Sequence, residues 1–153
     1  MDSDRFDLEA GRDLKLGEFA DDPTLNLSEA RIILEKSLEA RNKRAREKNP
    51  NSDRPAWKDT ETLSKTRDYL EIFAYFKEMA DAETAERLIN QFSGGMERFE
   101  KSQLGSLVPG SADEARALIP SLEKKVDDGL VDAEDLENLC RELDKIKRQT
   151  QLL

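Results

Sequence analysis

The stretch QLGSLVPGSADEARALIPSL, from Gln103 to Leu122, leaves this chain little choice of local structure. Its first residues close a short helix near Leu107, and Pro109-Gly110 then imposes a turn. Ser111 opens a new helix. With Glu114 three positions on, it fits a capping box, in which each side chain satisfies the backbone amide beside the other. Ala115, Leu118 and Ile119 give that helix one apolar face. Pro120 stops it, because proline lacks an amide hydrogen and pushes its predecessor out of helical backbone. Two short helices about a rigid corner form a packing element of an all-α fold.

The same helical spacing extends to both sides of the corner. Thr60 or Asp59 caps a helix bearing Leu63, Leu70, Ile72, Phe73, Phe76 and Met79, flanked by Tyr69 and Tyr75. Asp81 caps the next, in which Ala85, Leu88, Ile89 and Phe92 keep the period until Gly94. Met96, Phe99, Leu104 and Leu107 mark a third. Beyond an acidic link, Asp132 caps a last helix from about Ala133, with Leu136, Leu139, Cys140, Leu143 and Ile146 along one side. These residues are read as core, and the short connections make sequential helices neighbours.

Upstream, Asn26 with Glu29 predicts the capped start of a long helix, and Leu25 with Ala30 stands where a hydrophobic staple would. Leu27, Ala30, Ile33, Leu34 and Leu38 mark one face; Arg31, Glu35, Lys36 and Glu39 mark the other. The helix reaches about Lys48, a length on the order of 30 Å. Its second half, RNKRAREK from Arg41 to Lys48, is basic. It reads first as a solvated helix end whose cations suit the negative pole of the dipole. Arg41, Lys43, Arg44 and Arg46 are the candidate contacts to RNA or to an acidic surface. Residues 1–25 read as an extended arm without a helical stripe, in which Leu14-Lys15-Leu16 alternates as a short strand ended by Gly17. So short a strand needs neighbours, either on its own domain or on another protein. The chain thus divides into an arm (1–25), a long helix with a basic end (26–48), a Pro- and Asn-rich linker (49–58) and a helical bundle (59–153). Trp57, beside the linker, reads as core or interface filler before a base-stacking platform.

Composition narrows the chemistry. The chain has 153 residues, no His and a single Cys, so neither a histidine nor a paired-cysteine metal site is expected, and nucleophilic triads lose their usual base. Cys140 reads as a small buried hydrophobe ahead of a reactive thiol. No GxxxxGK[ST] or GxGxxG loop is present, and Gly94-Gly95 reads as a helix cap. The formal net charge of -9 repels phosphate overall, and the acidic run between Asp127 and Glu142 is a poor nucleic-acid surface. The acidic N-terminus does not look like a secretory signal, which is basic and then apolar, so a cytosolic or nuclear protein is expected. No catalysis, cofactor or metal is expected.

LGSLVPGSADEARALIPSL, followed by an acidic link and an amphipathic helix, resembles the C-terminal part of the fourth-subunit family of eukaryotic RNA polymerase II, a family with a relative in the archaeal polymerase. Upstream, LKLGEF and then LNLSEARIIL resemble the family's N-terminal motif. The resemblance implies a noncatalytic polymerase subunit in the nucleus. It implies an obligate heterodimer with the seventh subunit, an OB-fold protein, as a stalk near the RNA exit path that supports initiation. It favours the arm being received by that partner, with Leu14, Leu16, Phe19, Leu27, Ile33, Leu34 and Leu38 as the interface. The bundle resembles the HRDC-like fold of RecQ-type helicases and ribonuclease D. That leaves a free-standing helical adaptor or nucleic-acid-binding module as the alternative, in which arm and first helix would be mobile or tucked onto the chain's own bundle.

Overall fold

The computed structural model describes residues 8–51, 58–92 and 94–151. Among them the chain is all-α apart from one minimal hairpin. β1 (Glu9–Ala10) pairs antiparallel with β2 (Leu14–Lys15), and a 3₁₀ turn follows at Gly17–Phe19. Seven helices come next: α1 (Leu27–Lys48), α2 (Glu61–Phe73), α3 (Met79–Gln91), α4 (Arg98–Leu107), α5 (Ala112–Leu118), α6 (Pro120–Asp127) and α7 (Ala133–Gln151). No described helix is long and apolar enough to cross a membrane. Most of the expected linker, with Trp57, lies outside the described residues.

The core lies among α3 to α7. Leu104, Leu122, Leu136, Cys140 and Leu143 are fully buried there, with Ala85 and Ala115 filling the close approaches between helices. Leu136, Leu139, Cys140 and Leu143 occupy the buried face of α7 as their spacing predicts. Asp132 caps that helix, its Oδ1 accepting from the amides of Glu134 and Asp135 at 2.9 and 3.0 Å. Burial pushes the Cys140 thiol up to about 12, so it stays neutral and serves as the small hydrophobe expected.

The corner forms with one change of partner. Val108 turns the chain in left-handed backbone at φ 45°, a conformation that costs a non-glycine residue about 1–2 kcal/mol. Its burial, with only 2% exposed, offsets that cost. Ser111 Oγ accepts from the Glu114 amide, as a capping box requires. Glu114 itself reaches one residue further back and accepts from Gly110 N at 2.8 Å. Glu137 on α7 takes another free amide, Ala112 N, at 2.6 Å, and this bond holds the Glu137 carboxyl below the usual carboxylate range.

Several expected elements differ. α2 stops at Phe73 instead of continuing to Met79, because Ala74 is extended and the Phe76 amide donates to Ser28 Oγ of α1 at 3.1 Å. A tertiary hydrogen bond replaces the helical one, and Phe76 enters the core at 0% exposure. Ile72 (70% exposed), Tyr69, Phe73 and Met79, read as core or flanking it, stand in solvent, with Tyr69 and Phe73 rings 4.6 Å apart. Leu118 is also exposed. Asp81 does not cap α3. Glu78 is the N-cap, and Asp81 inside the first turn accepts from Thr150 of α7 at 2.8 Å. Gly94-Gly95 is not a left-handed helix cap; α3 ends in extended Phe92, and the Gly95 amide donates to Leu130 O. The acidic link contains a helix, α6, with Pro120 as its first residue. Proline there loses nothing, since the first helical amide has no intrahelical partner.

Candidate partner interface

Local chemistry sets the start of α1. Asn26 accepts from the Glu29 amide at 2.9 Å and Glu29 Oε2 accepts from Asn26 N at 2.7 Å, a complete capping box. Burial raises the Glu29 carboxyl above its ordinary value. Leu25, in the staple position, is 52% exposed. The capped end is keyed into the bundle by polar groups. Leu27 N donates to Ser106 Oγ on α4 at 3.1 Å, and Ser28, fully enclosed, receives Phe76 N. Gly105 makes room for this approach, because a Cβ there would lie 3.0 Å from Asn26 Nδ2 and 3.2 Å from Ile89 Cδ1.

The inward face of α1 is therefore Ser28, Arg31, Ile32 and Glu35, not the apolar stripe. Ile32 packs against the core. Arg31, expected on the solvent face, is a clamp: Nε donates to Glu71 Oε2 at 2.8 Å and Nη1 to the Lys77 carbonyl at 3.1 Å. Its hydrogen bond holds Glu71 below the usual carboxylate range. Leu27, Leu34 and Leu38 lie roughly a quarter turn round the helix from this face and are half-buried. Ile33 points further away and is 52% exposed.

The arm lies against the chain's own bundle. At the hairpin tip, Arg12 Nη2 meets Asp127 Oδ2 at 2.9 Å and Nη1 approaches Glu123 Oε2 at 3.8 Å. Asp13 pairs with Lys124. At its base, Arg98 Nη1 donates to the Asp21 carbonyl at 2.6 Å and Thr24 Oγ1 to the Arg98 carbonyl at 3.0 Å. Gly17 (φ 54°) turns the chain beneath Leu8, whose Cδ2 would stand 2.8 Å from any added Cβ. Leu14 and Leu16 are half-buried, and Phe19 is 52% exposed. None of the described residues before Asn26 is buried.

The seven apolar candidates thus fall into two groups, Leu14, Leu16 and Phe19 on the arm, and Leu27, Ile33, Leu34 and Leu38 on α1. Arg41, Lys43, Arg44 and Arg46 all stand exposed on the distal half of α1. Periodicity could not reveal the keyed face, since three of its four residues are polar. Nor could it find the exposed Tyr69, Ile72 and Phe73, which have core-like spacing.

Comparison with known proteins agrees with the motifs. The model of the RNA polymerase Rpb4 family matches residues 24–147. The chain is 38% identical over 137 residues to DNA-directed RNA polymerase II subunit rpb4 of Schizosaccharomyces pombe, covering 88% of this chain and 89% of that protein. It is 40% identical over 86 residues to subunit RPB4 of Saccharomyces cerevisiae, covering 56% of this chain and 35% of that protein. A third relative, subunit rpb4 of Dictyostelium discoideum, is 36% identical over 69 residues, 45% of this chain and 43% of that protein. With a family match from the arm's end to the last turns of α7, this chain belongs to the RNA polymerase Rpb4 family.

Proposed function

We propose that this chain is a noncatalytic subunit of nuclear RNA polymerase II, paired with the seventh subunit as a stalk near the RNA exit path and supporting initiation. The observation that carries this reading is the family match across both α1 and the bundle. The proposed interface comprises Leu14, Leu16, Phe19, Leu27, Ile33, Leu34 and Leu38. Phe19 and Ile33, each 52% exposed, have the most surface left to bury. A fully buried side chain of this size contributes about 1.5–3 kcal/mol, and the half-buried leucines have less to gain.

One observation favours the second reading, a self-contained helical adaptor. Arm and α1 lie on the chain's own bundle through Arg12–Asp127 and Ser28–Phe76. Co-expression with the seventh subunit separates the two readings. A stable one-to-one complex, abolished by Ile33→Asp with Leu34→Asp while the far-ultraviolet helical signal persists, supports the stalk subunit. Failure of the unaltered chain to bind supports the adaptor, and undiminished binding by the double variant removes α1 from the interface.

A further inference from the structure

We infer that the outward face of α2, formed by Tyr69, Ile72 and Phe73, docks a short amphipathic helix of another protein that carries a basic residue beside its apolar stripe. The inference goes beyond the proposed function and does not rest on pairing with the seventh subunit. α2 packs against α1, and the side that meets it is largely polar. Glu71 takes Arg31 of α1 at 2.8 Å, and Ser64, Arg67, Asp68 and Glu71 share a crevice of about 260 Å³ with Glu35 of α1. At about 100° per residue, Tyr69 and Phe73 lie roughly 160° round the helix from Glu71, so they face away from α1. Their rings pack on each other at 4.6 Å. Tyr69 is 51%, Ile72 70% and Phe73 47% exposed. An amphipathic helix that turns its apolar stripe to solvent presents a surface suited to a partner.

Area and charge select the occupant. The three side chains together leave roughly 300 Å² in water, taking about 200 Å² for each. Two such faces would bury about 600 Å², well short of the ~1,200 Å² of a stable interface, so the face suits a weak, transient contact. The net charge of -9 repels a second copy and attracts a basic segment. Local charge agrees. Arg31 and Lys77 are engaged by Glu35 and Glu71, and Arg67 by Asp59. Asp68 is the carboxylate of the crevice that no cation meets among the described residues. Ile72, one turn on from Asp68 and on the same side of α2, joins that carboxylate to the apolar stripe. A helix with leucine-like anchors and an adjacent lysine or arginine matches both features.

A synthetic helix of leucine and lysine, with leucines at i, i+3, i+4 and i+7, is the probe, and the same helix with glutamate for lysine is its control. Each is titrated into the full-length chain while the nuclear magnetic resonance signals of Tyr69, Ile72 and Phe73 are followed. The leucine–lysine helix should shift those signals and the leucine–glutamate helix should not. Ile72→Ser should weaken the leucine–lysine helix about tenfold, and Asp68→Lys about two- to fivefold while admitting the leucine–glutamate helix. Both substitutions are on the surface and leave the fold in place, which the far-ultraviolet helical signal checks. No shift at these residues, or binding that ignores Ile72→Ser, overturns the docking face. Equal binding of the two helices overturns the basic partner. A dimer of the chain alone, lost in Ile72→Ser, gives the face to a second copy and overturns the inference. So does a complex with the seventh subunit that no longer takes the leucine–lysine helix, since that subunit would then cover the face.

Discussion

Lys125 reaches from α6 into the bundle and donates to Glu100 Oε2 on α4 at 2.6 Å, where Glu100 has 0% of its surface exposed. The same carboxylate oxygen accepts from the Glu97 amide at 2.7 Å and so caps α4, while Lys125 also donates to the Gly95 carbonyl at 2.6 Å. One ammonium thus joins α6, the start of α4 and the loop before it. A buried carboxylate left without its cation is expensive, about 3–5 kcal/mol. Lys125→Met should lower stability by about that amount. Glu100→Gln added to it should recover much of the loss, because the neutral amide still accepts from Glu97. Urea midpoints of the two variants check this, and equal midpoints would show that the pair is not coupled.

Gly105 governs how α1 sits. Its missing Cβ lets Asn26 approach to contact distance, so Gly105→Ala should force α1 outward and cost about 1–3 kcal/mol. Amide exchange at Phe76, which donates to Ser28, should accelerate in that variant. Exchange that stays slow would mean α1 accommodates the methyl.

Leu143 and Ile72 separate core from surface. Leu143 is 0% exposed and Ile72 70%, although both have helical spacing suited to a core. Leu143→Ala should destabilise by about 2–5 kcal/mol, whereas Ile72→Ala should stay within about 0.5 kcal/mol. Thermal unfolding of both variants decides whether the α2 apolar face belongs to the fold.

The basic end of α1 projects Arg41, Lys43, Arg44 and Arg46 into solvent. Changing all four to Glu should leave the proposed heterodimer with the seventh subunit intact and weaken its RNA crosslinking or its retention on polymerase, most at low salt and less as salt rises. Pull-down and crosslinking on the same preparations check this, and a heterodimer that dissociates would move the basic end into the interface.

The Asp13–Lys124 contact between the arm and α6 should follow pH in a definite direction. The Lys124 hydrogen bond and charge hold Asp13 below its ordinary value, helped by Arg12 and Lys15. Asp13, with Asp128, raises Lys124 above its ordinary value. A lowered carboxyl contributes stability above its unfolded value and loses it as pH falls through the folded one. A raised ammonium contributes below its unfolded value and loses it as pH rises through the folded one. The clasp is therefore strongest between about pH 4 and pH 10. Leu14 and Lys15 chemical shifts should hold steady from pH 7 downward and move below pH 3.8, the ordinary Asp value. A transition above that pH would show that Asp13 is not held by Lys124.

Much of the fold was legible because it is local. Asn26-Glu29, Thr60 and Asp132 announce their helix starts through side chains that reach their own backbone, and the α7 stripe needs only its period. What escaped were decisions made between elements. Ser28 ends α2 by capturing the Phe76 amide, Arg31 turns inward because Glu71 and the Lys77 carbonyl wait for it, and α6 forms where charge density suggested a link, because Leu122 has a core to enter. The apolar residues of α1 were readable as a stripe, yet which face meets the bundle was not, since hydrogen bonds at Ser28 and Leu27 fix the helix rotation and periodicity sees only hydrophobicity. The helical class, the capped starts of α1, α2, α5 and α7 and the α7 core were written along the chain in contacts between residues three or four apart, and the family in its motifs. Where α2 breaks, which side of α1 faces inward and where the arm rests were settled only on packing, because each depends on polar partners distant along the chain.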